Sequence, residues 1–170
     1  MREHSSRVLA YAVHRGASFS EAEDVVAEVF LVCWRRLDDI PSLALPWLLG
    51  VARKVLANQR RSRNRQRAVQ ECIARSIVAP DGGGAAPASG GDFGDGGLEA
   101  LARLSEPDQE ALLLVAWDGL TNKEAARVVG CTQSAFGLRI FRARTRLMKH
   151  LEAIRTYEKS EGRVVQGKAP

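Results

Sequence analysis

The amino-acid sequence predicts an all-α protein of two small helical domains joined by a flexible linker. Three observations carry that expectation. Apolar residues recur at helical spacing on both sides of the chain's middle, helix-start and helix-stop residues punctuate those stretches, and a block with almost nothing to bury separates them. A length of 170 residues suffices for two such modules, each with a modest core.

The separating block is Ala79 to Gly97, APDGGGAAPASGGDFGDGG, whose residues cannot offset the entropy of ordering. It divides the chain into an N-terminal module over 1–78, a linker over 79–97, a C-terminal module over 98–151 and a tail over 152–170.

In the first module Ser20 and Glu23 read as a capping box that opens a helix over 21–37. Val25, Val26, Val29, Phe30, Cys33, Trp34 and Leu37 supply its apolar positions, and Asp24, Glu28, Leu31 and Arg35 its other face. The acids sit toward the N-terminal end, where the helix dipole favours them, and a simply solvated face would look the same. A loop over Asp38 to Leu45 leads to Pro46, suited to a first helical turn, and to the stripe Trp47, Leu48, Val51, Ala52 and Val55.

The net charge of +5 and a pI near 9.5 favour a polyanionic partner, and the uneven distribution sharpens this. Between Glu21 and Asp39 the acids Glu21, Glu23, Asp24, Glu28, Asp38 and Asp39 outnumber Arg35 and Arg36. Arg53, Lys54, Arg60, Arg61, Arg63, Arg65 and Arg67 then fall within fifteen acid-free residues, and Arg139, Arg142, Arg144, Arg146 and Lys149 form a second cluster. Two basic segments suggest two contacts with nucleic acid.

The second module is more sharply punctuated. Ser105 to Asp108 open a helix with Ala111, Leu112, Leu114, Val115 and Trp117 as core, and Gly119 ends it. Thr121 and Glu124 form a capping box for a short helix through Val129, Gly130 stops that helix, and Thr132 caps the next, expected to reach about Leu151. A short helix, a glycine-containing turn and a longer helix make a helix-turn-helix signature. Phe136, Ile140, Ala143, Leu147 and Leu151 are the buried stripe of the last helix, leaving Gln133, Ser134, Gly137, Arg139 and Arg142 on other faces. Gln and Arg there suit bidentate pairing with adenine and guanine.

Cys33, Cys72 and Cys131 are widely spaced and odd in number, against a disulfide framework or structural zinc. His4, His14 and His150 are scattered, no carboxylate pair shares a pocket, and Gly82 to Gly84 belong to the linker rather than a phosphate loop. No catalytic residue, metal or cofactor is therefore expected. No stretch reaches the roughly 20 apolar residues of a membrane span, so a cytoplasmic protein without membrane insertion is expected.

Both modules resemble one family, the extracytoplasmic-function sigma factors of the sigma-70 family. AEDVVAEVFLVCWRRL (Ala22 to Leu37) is similar to its polymerase-binding helix in region 2, and PWLLGVARKVLANQRR (Pro46 to Arg61) to the helix associated with promoter melting. The stretch Leu101 to Leu151 is similar to the helix-turn-helix region 4 nearly from end to end. The resemblance implies an alternative sigma factor that binds core RNA polymerase and promoter DNA, with an anti-sigma factor as a further partner.

Carried over by residue, it places the polymerase contact on Asp24, Glu28, Leu31, Trp34 and Arg35, with Trp34 and Trp47 also readable as core. It places the minus-10 contact on Arg53, Lys54, Asn58, Arg60 and Arg61, with the loop Asp38 to Leu45 capturing a flipped base, and the minus-35 contact on Thr132, Gln133, Ser134, Arg139 and Arg142. Ala27 stands where the family usually has Gln, and Asn58 where Asp is frequent. Gly137 replaces a common Lys at a cost of about 1 kcal/mol in helix propensity relative to Ala. Ser6 to Arg15 supplies part of the family's first helix, so either the module is reduced or its start lies upstream.

Two rivals remain. One is a helix-turn-helix regulator with a helical dimerisation domain, which would bind duplex DNA alone; the other is a small nuclease or recombinase fragment, for which the side-chain chemistry is missing.

Overall fold

The computed structural model describes residues 2–75 and 95–165. Most of the Ala79–Gly97 block, the last five residues and the side chains of Arg67 and Cys72 lie outside the described positions. The chain forms two units, residues 1–89 and 90–170, and the described residues form seven α-helices and one 3-10 turn.

In the first unit α1 (Arg2–Val13), α2 (Phe19–Arg35) and α3 (Ala44–Arg75) pack against one another pairwise. Their shared core is Val8, Tyr11 and Ala12 from α1, Ala22, Val25, Val29 and Cys33 from α2, and Leu48, Leu49, Ala52, Val55 and Leu56 from α3. Gly16, at φ 81°, turns the chain out of α1 in a left-handed conformation that favours glycine.

The cap of α2 lies two residues earlier than the sequence pattern suggested. The sequence holds two overlapping Ser-x-x-Glu patterns, and the structure uses Ser18 with Glu21: Ser18 N–H donates to Glu21 at 2.8 Å and Glu21 N–H to Ser18 Oγ at 3.3 Å. Ser20 and Glu23 lie inside the helix, both exposed. The helix stops at Arg35, and Leu37–Asp39 form the 3-10 turn. The expected apolar set also narrows, because Trp34 is 74% and Leu37 52% exposed. Trp34 sits one helical step round from buried Cys33, and Leu37 lies past the helix end.

The connecting loop is shorter than Asp38 to Leu45, since α3 already includes Ala44 and Leu45, with Pro46 in its first turn where a missing N–H costs nothing. The buried stripe of α3 is Leu48, Leu49, Ala52, Val55 and Leu56, with Trp47 and Val51 half-buried beside it.

In the second unit α4 (Asp95–Ala102), α5 (Glu106–Ala116) and α6 (Asn122–Val129) all pack on α7 (Gln133–Val165). Helix α4 has no counterpart among the elements expected from sequence and begins within the glycine-rich block. A Cβ at Gly96 would meet Ile154 Cγ2 at 3.3 Å, so the small residue lets α4 approach α7. Ile154 is buried, and α7 runs on to Val165 rather than ending near Leu151.

Phe136, fully buried, anchors this core with Leu104, Leu112, Leu114, Leu120, Ile140 and Ala143, while Val115, Trp117, Leu147 and Leu151 are half-buried. Asp108, 5% exposed, pairs across the unit with Arg146 of α7.

Candidate nucleic-acid interface

The helix-turn-helix is built as its punctuation implies. Thr121 caps α6 in a reciprocal box, accepting from Glu124 N–H at 3.3 Å while Thr121 N–H and Oγ1–H donate to the Glu124 carboxylate at 2.8 and 2.7 Å. The Thr121 hydroxyl, followed by its backbone N–H, holds the Glu124 pKa below the ordinary carboxylate value. Gly130 closes α6 at φ 76°, and Gly130 and Cys131 N–H groups both donate to the Ala126 carbonyl. Thr132 Oγ1 then accepts from Ala135 N–H at 3.2 Å, which sets the first turn of α7.

The cap thereby fixes which side chains leave the first turns of α7. Thr132, Gln133, Ser134 and Arg142 are exposed, and Arg139 is half-buried. Thr132 is committed to the cap, so Gln133 and Ser134 are the polar groups presented at the N-terminal end. From Ala125 to Leu151 the chain carries no acid.

An outer stripe of α7 was not expected from sequence. Leu138, Phe141 and Met148 are 50%, 68% and 54% exposed and share that stripe with Ser134 and Thr145. The spacing i, i+4, i+7, i+11, i+14 is present in the sequence, but periodicity alone does not say which of two apolar stripes on one helix is covered.

In the first unit, Asp24, Glu28, Leu31 and Arg35 form one exposed stripe of α2, with Ala27 and Trp34 beside it. Leu31 is 59% exposed, and Trp34 at 74% is a surface residue and not core. Two large apolar side chains next to carboxylates make this a surface poorly suited to water alone.

Helix α3 exposes Lys54, Asn58, Arg61 and Arg65 along its outer face, with Arg61 donating to Asn58 Oδ1 at 2.6 Å. Arg53 is half-buried at the edge of that face. Other members of the basic cluster are engaged within the unit at its surface: Arg60 donates to the Arg15 carbonyl beyond the end of α1, and Arg63 bridges Glu21 of α2 at 2.8 Å. The Ser18 backbone N–H, then the Ser18 hydroxyl and Arg63, draw the Glu21 pKa down. Burial pushes the Cys33 thiol up, as befits a core side chain. Among the described residues no cluster of His, Cys, Asp and Glu could hold a metal, and no helix is long and apolar enough to cross a membrane.

Comparison with known proteins agrees with both units. The sigma-70 region 2 family matches residues 1–66, and the sigma-70 region 4 family matches residues 98–147. The ECF RNA polymerase sigma factor SigC of Mycobacterium tuberculosis is 32% identical over 159 residues, covering 86% of this chain and 76% of SigC. The RNA polymerase sigma factor NccH of Alcaligenes xylosoxydans is 26% identical over 157 residues, covering 86% and 82% of the two chains. Among solved structures, the sigma factor RpoE of Bartonella quintana matches with a TM-score of 0.63 at 26% identity, over 89% of this chain and 95% of RpoE. CnrH matches with a TM-score of 0.61 at 25% identity, over 89% and 84%. The chain belongs to the ECF sigma factors of the sigma-70 family, non-catalytic proteins that bind core RNA polymerase and direct transcription initiation.

Proposed function

We propose that this sigma factor divides its work by helix face. The exposed acid-and-apolar stripe of α2, with Asp24, Glu28, Leu31, Trp34 and Arg35, docks on core polymerase. The basic outer face of α3, with Arg53, Lys54, Asn58 and Arg61, holds the opened minus-10 strand, and the turn at 37–43 takes the flipped base. The first turns of α7, with Gln133, Ser134, Arg139 and Arg142, read the minus-35 major groove, positioned by the Thr132 cap. The observation that carries this reading is the pairing of an exposed Trp34–Leu31 surface beside carboxylates with an outward basic face on α3 in the same three-helix unit. Dimerisation alone calls for no such pairing.

Arg60 takes a smaller part, because its guanidinium already ties α3 to the turn after α1. The segment joining the two units makes the second DNA contact intramolecular, so two weak contacts act together. On this reading region 2 ends near 78 and region 4 spans about 98–151. A protein inhibitor is a further expected partner, since RpoE is solved with the anti-sigma factor NepR and CnrH with the cytosolic domain of CnrY. The protein works in the cytoplasm, where the polymerase is.

Run-off transcription from a promoter-fragment library with sigma-free core polymerase tests this division. Wild-type protein should yield specific transcripts only together with core. Trp34→Ala should lower core binding, and Lys54→Ala should slow promoter opening with core binding intact. Tight, sequence-specific duplex binding by the protein alone, without transcripts, would move the assignment to a stand-alone regulator.

A further inference from the structure

The outer stripe of α7 calls for an explanation that its own unit does not provide. Leu138 and Phe141 stand in water on the second and third turns of a helix whose opening turn presents Gln133 and Ser134. Between them and that opening turn lies Gly137, a residue that weakens a helix interior. Among the described residues nothing requires a glycine there: a Cβ would meet no atom within 4 Å, and its φ is not positive. A glycine that no internal contact explains, beside exposed apolar side chains, fits close approach by something from outside.

Charge says what that is. The apolar stripe is bordered by Arg142 and Lys149 on one side and by Arg144 on the other, and the chain holds no acid between Ala125 and Leu151. An apolar patch framed in this way suits a polyanion with apolar groups of its own. In the DNA major groove the apolar group on the base edges is the 5-methyl of thymine. Leu138 lies four residues past Ser134, one helical turn and roughly 6 Å further along the helix, on the same face.

We infer that Leu138, seconded by Phe141, reads thymine methyl groups in the minus-35 element, and that Gly137 lets the helix backbone come close enough for that contact. The inference rests on the assignment of α7 to the minus-35 groove. Met148, about 15 Å beyond Leu138, stays outside this readout.

The test uses holoenzyme made from the full chain and core polymerase, on a promoter obtained by run-off selection. Each minus-35 thymine is replaced in turn by deoxyuridine, which removes only the methyl group. At one or two positions initiation should fall about four-fold, the effect of one buried methyl. Leu138→Ala should make thymine and uracil equivalent at one of those positions, at the level of wild type on uracil. Gly137→Ala, which meets no neighbour, should raise the Tm of the second unit yet lower minus-35-dependent initiation.

Active holoenzyme that ignores every thymine-to-uracil change would overturn the inference and leave the sigma assignment standing. The inference also fails, with the sigma assignment intact, if Leu138→Ala keeps the discrimination, or if it instead weakens binding to a protein partner, which would make the stripe a protein-docking surface. Absence of any start site that depends on the chain would overturn both.

Discussion

Helices α3 and α7 are near equals, 32 and 33 residues long and rich in arginine, but they use their bases differently. On α3 the cluster is divided: Arg60 ties to the turn after α1 and Arg63 to α2 through surface contacts, while Lys54, Arg61 and Arg65 lie along the outer face. On α7, Arg146 pairs with buried Asp108, while the first turns are set by the Thr132 cap and the Phe136 anchor. A count of basic residues therefore overstates the charge offered to DNA, more so for α3. In the first unit arginines help hold the helices together; in the second, caps and apolar packing do most of that work.

The largest effect that separates the two comes from Phe136→Ala. Removing this fully buried ring should destabilise the second unit by about 3–5 kcal/mol. Calorimetry should show that unit melting early, minus-35-dependent initiation should vanish, and core binding through α2 should persist. Loss of core binding as well would break the picture of two units with separable tasks.

A smaller effect separates arginines within α7. Arg146→Ala leaves Asp108, 5% exposed, without its ion pair. Because the Arg146 side chain is 57% exposed, the expected cost is about 1 kcal/mol rather than the several of a fully buried pair. Arg142→Ala should leave the Tm unchanged and reduce the salt slope of holoenzyme–promoter binding by about 0.9 per lost phosphate contact. If Arg146→Ala altered the slope and Arg142→Ala the Tm, the assigned roles would be exchanged.

Local signals explain how much of this could be read from sequence. The cap at Thr121, the stop at Gly130 and the cap at Thr132 each act within four residues, so the helix-turn-helix was legible. The Ser18 cap was not, because Ser18-x-x-Glu21 and Ser20-x-x-Glu23 overlap and the local pattern is the same for both. Helix α4 was hidden because glycines at 96 and 97 have low helix propensity, and the helix is held by packing on Ile154, far away in sequence. The pairing of Arg60 and Arg63 within the unit likewise depends on Arg15 and Glu21, partners that no local pattern pairs with them.

Those internally paired arginines give the next test. Arg63→Ala breaks an exposed bridge to Glu21 and should cost about 0.2–1 kcal/mol of first-unit stability. Lys54→Ala should leave that stability alone and slow open-complex formation, followed by the fluorescence of 2-aminopurine in the minus-10 element. Equal loss of Tm from both would mean that the outer face of α3 is structural too.

The two capping boxes yield the smallest and sharpest contrast. Glu21 and Glu124 both have folded pKa values below the ordinary 4.5, so each contributes stability that is full above that value and is lost as pH falls through its folded value. Both carboxylates lie near the surface, so the acid-side slope is shallow. Its origin differs between units. For Glu124 the largest cause is the Thr121 hydroxyl, which Thr121→Ala removes; for Glu21 it is the Ser18 backbone N–H, which Ser18→Ala retains. Melting each unit between about pH 6 and about pH 3 should therefore show Thr121→Ala flattening the second unit's acid-side slope more than Ser18→Ala flattens the first's. Equal flattening would mean that the hydroxyl governs both boxes, and that the Ser18 backbone hydrogen bond does not hold the Glu21 carboxylate in its charged form.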